Sequence, residues 1–262
     1  MDLSLKGKFA IVCGSTQGLG YSSAVELALL GATVTLLARD ETKLKNAIIT
    51  LDTSFNQKHD YIVADFQFPD KVSKAISDYL ADRNEINILI NNTGGPKGGP
   101  ALQAGIDEYL QAFNSHLICN QILVQKIVPL MKKTGYGRII NIISTSVKQP
   151  IENLGVSNTI RGAVASWSKT LANELGPFGI TVNNVLPGFT KTSRYDYVIN
   201  NKSQHSGETP EEEENKLIAE IPMRRIGTPD EFGAIVAFLC SPAAGYINGI
   251  NLPVDGGRLS CM

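Results

Sequence analysis

Phe9-Ala10-Ile11-Val12-Cys13-Gly14-Ser15-Thr16-Gln17-Gly18-Leu19-Gly20 decides how this chain folds. Five apolar residues in a row suit a strand buried on both faces. The glycines behind them let backbone N–H groups approach an anion closely, where a helix begins and its dipole favours negative charge. Their spacing, GxxxGxG, is a variant of the dinucleotide fingerprint. Taken alone the cluster suits a tight turn equally well. On the first strand–helix junction of a parallel sheet it points to a nucleotide, held by Gly14, Ser15, Thr16, Gln17, Gly18, Leu19 and Gly20.

The rest of the chain supplies that sheet. Further apolar runs occupy 33–37, 61–64, 86–90, 138–143, 180–185 and 250–254, alternating with helical patterns. Near-continuous apolarity marks strands covered on both faces, so the expectation is an α/β fold: a Rossmann-type, doubly wound, seven-stranded parallel sheet with helices on both sides. A helix over 21–30 stops at Gly31, Asp107 caps a long helix over 107–133, and another runs over 158–174. No repeat or linker interrupts the chain, and 1–262 reads as one dinucleotide-binding domain. Residues 193–222 are polar and carry Glu211-Glu212-Glu213-Glu214, which reads as a solvated helix face. That segment is the expected substrate lid.

Composition narrows the function. The 262 residues are 43% hydrophobic and 19% charged, with 24 Lys and Arg against 25 Asp and Glu. A net charge of −1 gives no basic surplus for nucleic acid. Four scattered cysteines and three separated histidines argue against a disulfide framework and a metal centre. With no signal-like or membrane-spanning run, the expected location is cytoplasmic.

Arg39 closes the second strand in Leu36-Leu37-Ala38-Arg39-Asp40. Folds that bind NAD usually place an acidic residue there for the ribose hydroxyls, whereas an arginine suits the extra 2′-phosphate of NADP. NADP(H) is the preferred cofactor; Asp40 keeps NAD(H) possible, and the pair can also be a plain solvated helix start.

These motifs together resemble the short-chain dehydrogenase/reductase family, in particular its 3-oxoacyl-acyl-carrier-protein reductase-like members. The agreement runs from Gly7-Lys8 to Asp255-Gly256-Gly257. The resemblance implies that Asp65 hydrogen-bonds adenine and that Asn91-Asn92-Thr93-Gly94, with Asn92 and Gly94, lies behind the cofactor. It also implies that Pro187-Gly188 and Thr192 hold the nicotinamide amide. A homotetramer (or homodimer) is implied too, built through helices near 107–133 and 157–175 and the end of the last strand, though Trp167 and Ala163 on the second helix can equally be intramolecular core.

Catalysis in this family uses an Asn-Ser-Tyr-Lys set, and here it is half missing. Asn114 and Ser144 match the first two members. The YxxxK motif should begin thirteen residues beyond Ser144, where the chain reads Ser157-Asn158-Thr159-Ile160-Arg161. Ser157 stands for the tyrosine and Arg161 for the lysine, which would also hold the nicotinamide ribose. An aliphatic hydroxyl is a poor acid beside a phenol, and a guanidinium does not pass protons as an ammonium can.

Two readings stay open. One is an NADP(H)-dependent reductase of a small carbonyl compound, 3-oxoacyl-type or another ketone, working with Asn114, Ser144, Ser157 and Arg161. Its proton would come from water or from Lys148, His116, Tyr195 or Tyr197, each of which also has a plain structural role. The other is a catalytically impaired, nucleotide-binding pseudoenzyme or sensor. The glycine-rich loop 93–100 suits a ligand loop or a simple connection equally well.

Overall fold

A computed structural model of the chain describes residues 1–261. Seven strands form one parallel sheet: β1 (Phe9–Cys13), β2 (Thr33–Ala38), β3 (Asp60–Val63), β4 (Ile88–Asn91), β5 (Gly137–Ile142), β6 (Ile180–Pro187) and β7 (Asn251–Val254). Their order is β3-β2-β1-β4-β5-β6-β7, the doubly wound arrangement. The chain reverses its direction of winding between β1 and β4, which opens a crevice at the carboxyl ends of those strands.

Both faces of the sheet are covered, as the apolar runs require. Ala10 and Val12 point to one side, against Ala24, Leu27 and Ala28 of α1 (Gly18–Leu29) and Phe232 and Val236 of α9 (Pro229–Cys240). Ile11 and Cys13 point to the other, with Val72 and Ile76 of α3 (Pro69–Leu80), Leu123 and Ile127 of α5 (Cys119–Thr134), and Ala172 of α6 (Gly155–Leu175). Alternation within one strand thus feeds two cores. The remaining covering helix, α2 (Glu41–Ile48), packs Leu44 and Ala47 on the α1 side.

The long helix expected over 107–133 is present as a continuous helical run over 106–134, with a π-bulge inside it. Helix α4 (Ile106–Phe113) leads into a π-helical turn over Asn114–Ile118, where the Cys119 N–H reaches back to the Asn114 carbonyl, before α5 begins. One extra residue in a turn does not disturb the apolar periodicity enough to be read from it. Asp107 does not cap this helix; it is the second helical residue. The N-cap is Gly105, whose N–H donates to the Glu108 carboxylate at 3.3 Å. Gly31, with φ of +97°, does terminate α1, just past Leu30.

A row of asparagines crosses four strands. Asn91, Asn141, Asn184 and Asn251 stand in register on β4, β5, β6 and β7. Each amide donates to the next side-chain oxygen, at 2.8, 3.0 and 2.7 Å. Asn91, Asn141 and Asn184 are buried, and these bonds satisfy all of their side-chain polar atoms except Asn91 Oδ1, while Asn251 ends the row in solvent.

Residues 193–222 are mostly helical: α7 (Ser193–Ser206) and α8 (Pro210–Glu220). Thr192 caps the first through the Tyr195 N–H, and Thr209 with Glu212 forms a capping box on the second. The glutamate run is not a uniformly solvated face, since four consecutive residues wrap a full turn. Glu213 is buried, and Glu214 accepts from Tyr195 Oη (3.0 Å) and Lys191 Nζ (3.1 Å). This carboxylate fastens α8 to α7. The hydrogen bonds from Lys191 and then Tyr195 hold its pKa below the usual carboxylate range.

Candidate active site

A cleft of about 870 Å³ lies along the carboxyl ends of the central strands. Arg39 and Asp65 line one end; Ser144, Ser157 and Arg161 line the other. Between them run Gly14, Thr16, Gln17, Gly18 and Leu19 from the glycine loop, Asn92 and Gly94 after β4, and Pro187, Gly188 and Thr192 after β6.

The glycine loop is shaped by close backbone contact. Gly14 has φ of +56°, and a Cβ there would lie 2.8 Å from Asn92 Nδ2. The same Asn92 amide donates to the Cys13 and Gly14 carbonyls (3.3 and 3.1 Å), tying the loop to the end of β4. Gly20 does not line the cleft. A Cβ at that position would meet the Gly14 oxygen at 2.4 Å, so its task is to let α1 pack on β1. Ser15 is also withdrawn: its buried Oγ accepts from the Leu37 N–H at 3.1 Å and pins the loop to β2. These two expected contact residues therefore shape the loop rather than face a ligand.

At the adenosine end, Arg39 faces the cleft while Asp40 turns to α2, where its carboxylate caps the helix through the Lys43 N–H at 3.0 Å. A capping carboxylate is committed locally. The cationic side chain is the one presented to a ligand. A cleft of this length, with open space above Gly94 and Gly95 and a helix N-terminus at its middle, fits a phosphorylated dinucleotide.

The other end is built on the last residues of β5 and one face of α6. Ser144 follows β5, with its Oγ accepting from the Ser146 N–H at 3.0 Å. Ser157 and Arg161 stand four residues apart on α6, hence on one helical face. The Arg161 side chain reaches the end of β5, donating from Nη1 to the Ile142 carbonyl at 3.2 Å. Its Nε has no partner. Burial pushes the guanidinium pKa down to about 10, which leaves it cationic near neutral pH.

Asn114 is not among the residues that line the cleft; its neighbour Ser115 is. Asn114 instead supplies the carbonyl that closes the π-turn. Of the candidate acids, only Tyr195 lines the cleft, and its hydroxyl is spent on Glu214. Burial, followed by that contact, pushes its pKa well up. His116 is buried, and its pKa falls well below normal through burial first and the charge of Arg161 second. Lys148 and Tyr197 lie outside the lining residues. Sequence reasoning missed Ser115, Leu154, Phe189 and Arg194, all of which line the cleft. Only Ser115, adjacent to Asn114, carried a local signal. Trp167 makes an intramolecular bond, from Nε1 to Gln121 Oε1 at 2.8 Å, between α6 and α5. No helix among the described residues is long and apolar enough to cross a membrane.

Comparison with known proteins agrees with this fold. A short-chain dehydrogenase family model described as enoyl-(acyl carrier protein) reductase matches residues 14–258. The 3-oxoacyl-[acyl-carrier-protein] reductase FabG of Pseudomonas aeruginosa is 30% identical over 257 residues, covering 97% of this chain and 98% of that protein. A tropinone reductase homologue of Arabidopsis thaliana is 31% identical, covering 97% of this chain and 93% of the relative. The L-sorbose reductase of Gluconobacter frateurii, solved with NADPH and L-sorbose, superposes with a TM-score of 0.94 at 28% identity, with full coverage of both chains. The chain belongs to the short-chain dehydrogenase/reductase family of oxidoreductases.

Proposed function

We propose that this member of the family is an NADP(H)-dependent reductase of a small carbonyl compound, working with Ser144, Ser157 and Arg161 where a tyrosine–lysine pair would ordinarily stand. The observation that carries the reading is the single cleft with Arg39 at one end and this hydroxyl–guanidinium group at the other. Relatives solved with NADPH support the cofactor. The commitment of Asp40 to its helix cap supports NADP(H) over NAD(H).

The cofactor supplies the hydride. Arg39 neutralises a 2′-phosphate, Asp65 takes the adenine, and the loop Gly14–Gly20 and the start of α1 hold the diphosphate. Pro187, Gly188 and Thr192 hold the carboxamide, and Arg161 reaches the nicotinamide ribose hydroxyls. Ser144 and Ser157 donate hydrogen bonds to the substrate oxygen and orient it. The adjacent Arg161 guanidinium would stabilise the negative charge that gathers on the substrate oxygen during reduction. The proton that completes the alcohol comes from water in the cleft, because no phenol or imidazole among the lining residues is free to give one. Asn114 acts through the π-turn that places Ser115, as a positioning residue. Helices α7 and α8 form the lid.

The test is NADPH binding by fluorescence, followed by turnover with a panel of ketones and oxo acids. NADPH is expected to bind more tightly than NADH, with oxidation of NADPH by at least one panel member. Binding of neither nucleotide overturns the reading. The hydroxyl of Tyr195, held by Glu214, also favours a second reading, a nucleotide-binding sensor with no turnover. The double substitution Ser157→Tyr with Arg161→Lys separates the two. A reductase pocket regains about two to four orders of magnitude in rate, whereas a sensor stays inert with cofactor bound. The same reading includes a homo-oligomer, supported by Ile106, Leu110 and Phe113, which are exposed along α4; mass measurement in solution tests it.

A further inference from the structure

We propose that the substrate is an oxo acid, with its carboxylate close to the reacting carbonyl and bound by Arg161. This rests on the reductase reading above and names the class of substrate that the pocket takes.

Arg161 is a cation without a counter-charge. Its side chain is 8% exposed, its Nε has no partner, and its Nη1 bond goes to a neutral carbonyl. None of the ion pairs among the described residues includes it. Asp65 is the one acidic side chain among the lining residues, and it lies with Arg39 at the adenosine end. A buried, unpaired charge is costly, so a site that keeps one is built for a ligand that carries the opposite sign.

Ribose hydroxyls accept hydrogen bonds from a guanidinium but bring no charge, and oxidised nicotinamide carries a positive one. The phosphates of the cofactor are met by the glycine loop and Arg39, away from Arg161, so the charge opposite this guanidinium is assigned to the substrate. A planar fork of N–H donors pairs with a carboxylate through two parallel bonds, which a lysine ammonium at the same place cannot match. Ser157, one helical turn away on the same face, and Ser144 take the keto oxygen. Side chains one helical turn apart suit a carboxylate close to the carbonyl. Leu154, Phe189 and Val198 supply apolar walls, so the rest of the acid is apolar. Arg194 on α7 adds a third cation to the lining, after Arg39 and Arg161.

The experiment is calorimetric titration of the full chain, saturated with NADP⁺, with 4-methyl-2-oxopentanoate and separately with its methyl ester. NADP⁺ carries no hydride, so binding is read without turnover. The acid is expected to bind at least about 30-fold more tightly than the ester, the scale of one buried charge pair. Arg161→Gln should abolish that difference by weakening the acid alone, Arg161→Lys should restore part of it, and Ser157→Ala should keep it. Melting curves with NADP⁺ confirm that each variant is folded and loaded. Equal binding of acid and ester, no binding of the acid, or equal weakening of both by Arg161→Gln overturns the proposal. If the acid binds but NADPH is never oxidised, the reductase reading fails and the anion site stands. If neutral ketones are reduced and the acid is not bound, the reverse holds.

Discussion

The two ends of the cleft are held by different kinds of constraint. At the phosphate end, shape comes from backbone: Gly14, Gly20 and the Asn92 amide sit so close that a single added methyl group would collide with main chain. At the other end, the two side chains proposed for the chemistry, Ser157 and Arg161, stand one turn apart on α6, a helix anchored elsewhere by Val164, Ala172 and Leu175. The first arrangement resists substitution because the fold depends on it. The second holds an alcohol and a guanidinium on one face of a single helix, with the Arg161 bond to the Ile142 carbonyl reaching the end of β5. In the proposed reading, binding and chemistry are therefore separable within one pocket.

Substitutions at each end sharpen or break this contrast. The largest effect is expected for Gly20→Ala, whose Cβ would lie 2.4 Å from the Gly14 oxygen. Overpacking of that kind costs about 3 kcal/mol, a melting shift of roughly 6–12 °C in a chain of this size, readable by calorimetry. No shift would show that the loop has room. Next comes Arg39→Ala, expected to lower NADPH affinity by about 30-fold through loss of one charge-assisted contact while leaving NADH affinity alone, as measured by fluorescence titration. Ser157→Ala should lower turnover by about tenfold, one neutral hydrogen bond, yet change stability by less than about 0.5 kcal/mol. A large loss of stability there would break the comparison.

The smallest effect belongs to the lid. The Glu214 carboxylate has its pKa lowered in the folded state, chiefly by Lys191, so the stability it lends is complete above the ordinary carboxylate pKa. It is lost as pH falls through the lowered value. Glu214→Gln should remove that acid-limb dependence at a cost below about 1 kcal/mol at neutral pH, since the pair is partly solvated. Equilibrium unfolding at neutral and acid pH measures it.

Much of the architecture was legible, because buried parallel strands leave long apolar runs and all seven lie within a few residues of their expected places. The π-bulge between α4 and α5 was not, since it shifts the register by one residue without altering composition. In the site, residues tied to backbone motifs were readable, as with Gly14, Asn92 and Gly188. Side chains whose role depends on a tertiary partner were not: Ser15 bonds Leu37, and Glu214 bonds Tyr195 across two helices. Arg194 and Leu154 reach the cleft from segments with no motif at all.

The asparagine row across β4 to β7 has a consequence for how the sheet assembles. Slipping any one of these strands by a single residue would turn its amide to the opposite face and leave one neighbour, or two for β5 and β6, without that partner. Misaligned pairings are thereby penalised more heavily than hydrophobic contact alone would penalise them, which gives these strands a discriminating alignment key that owes nothing to what the cleft above them binds.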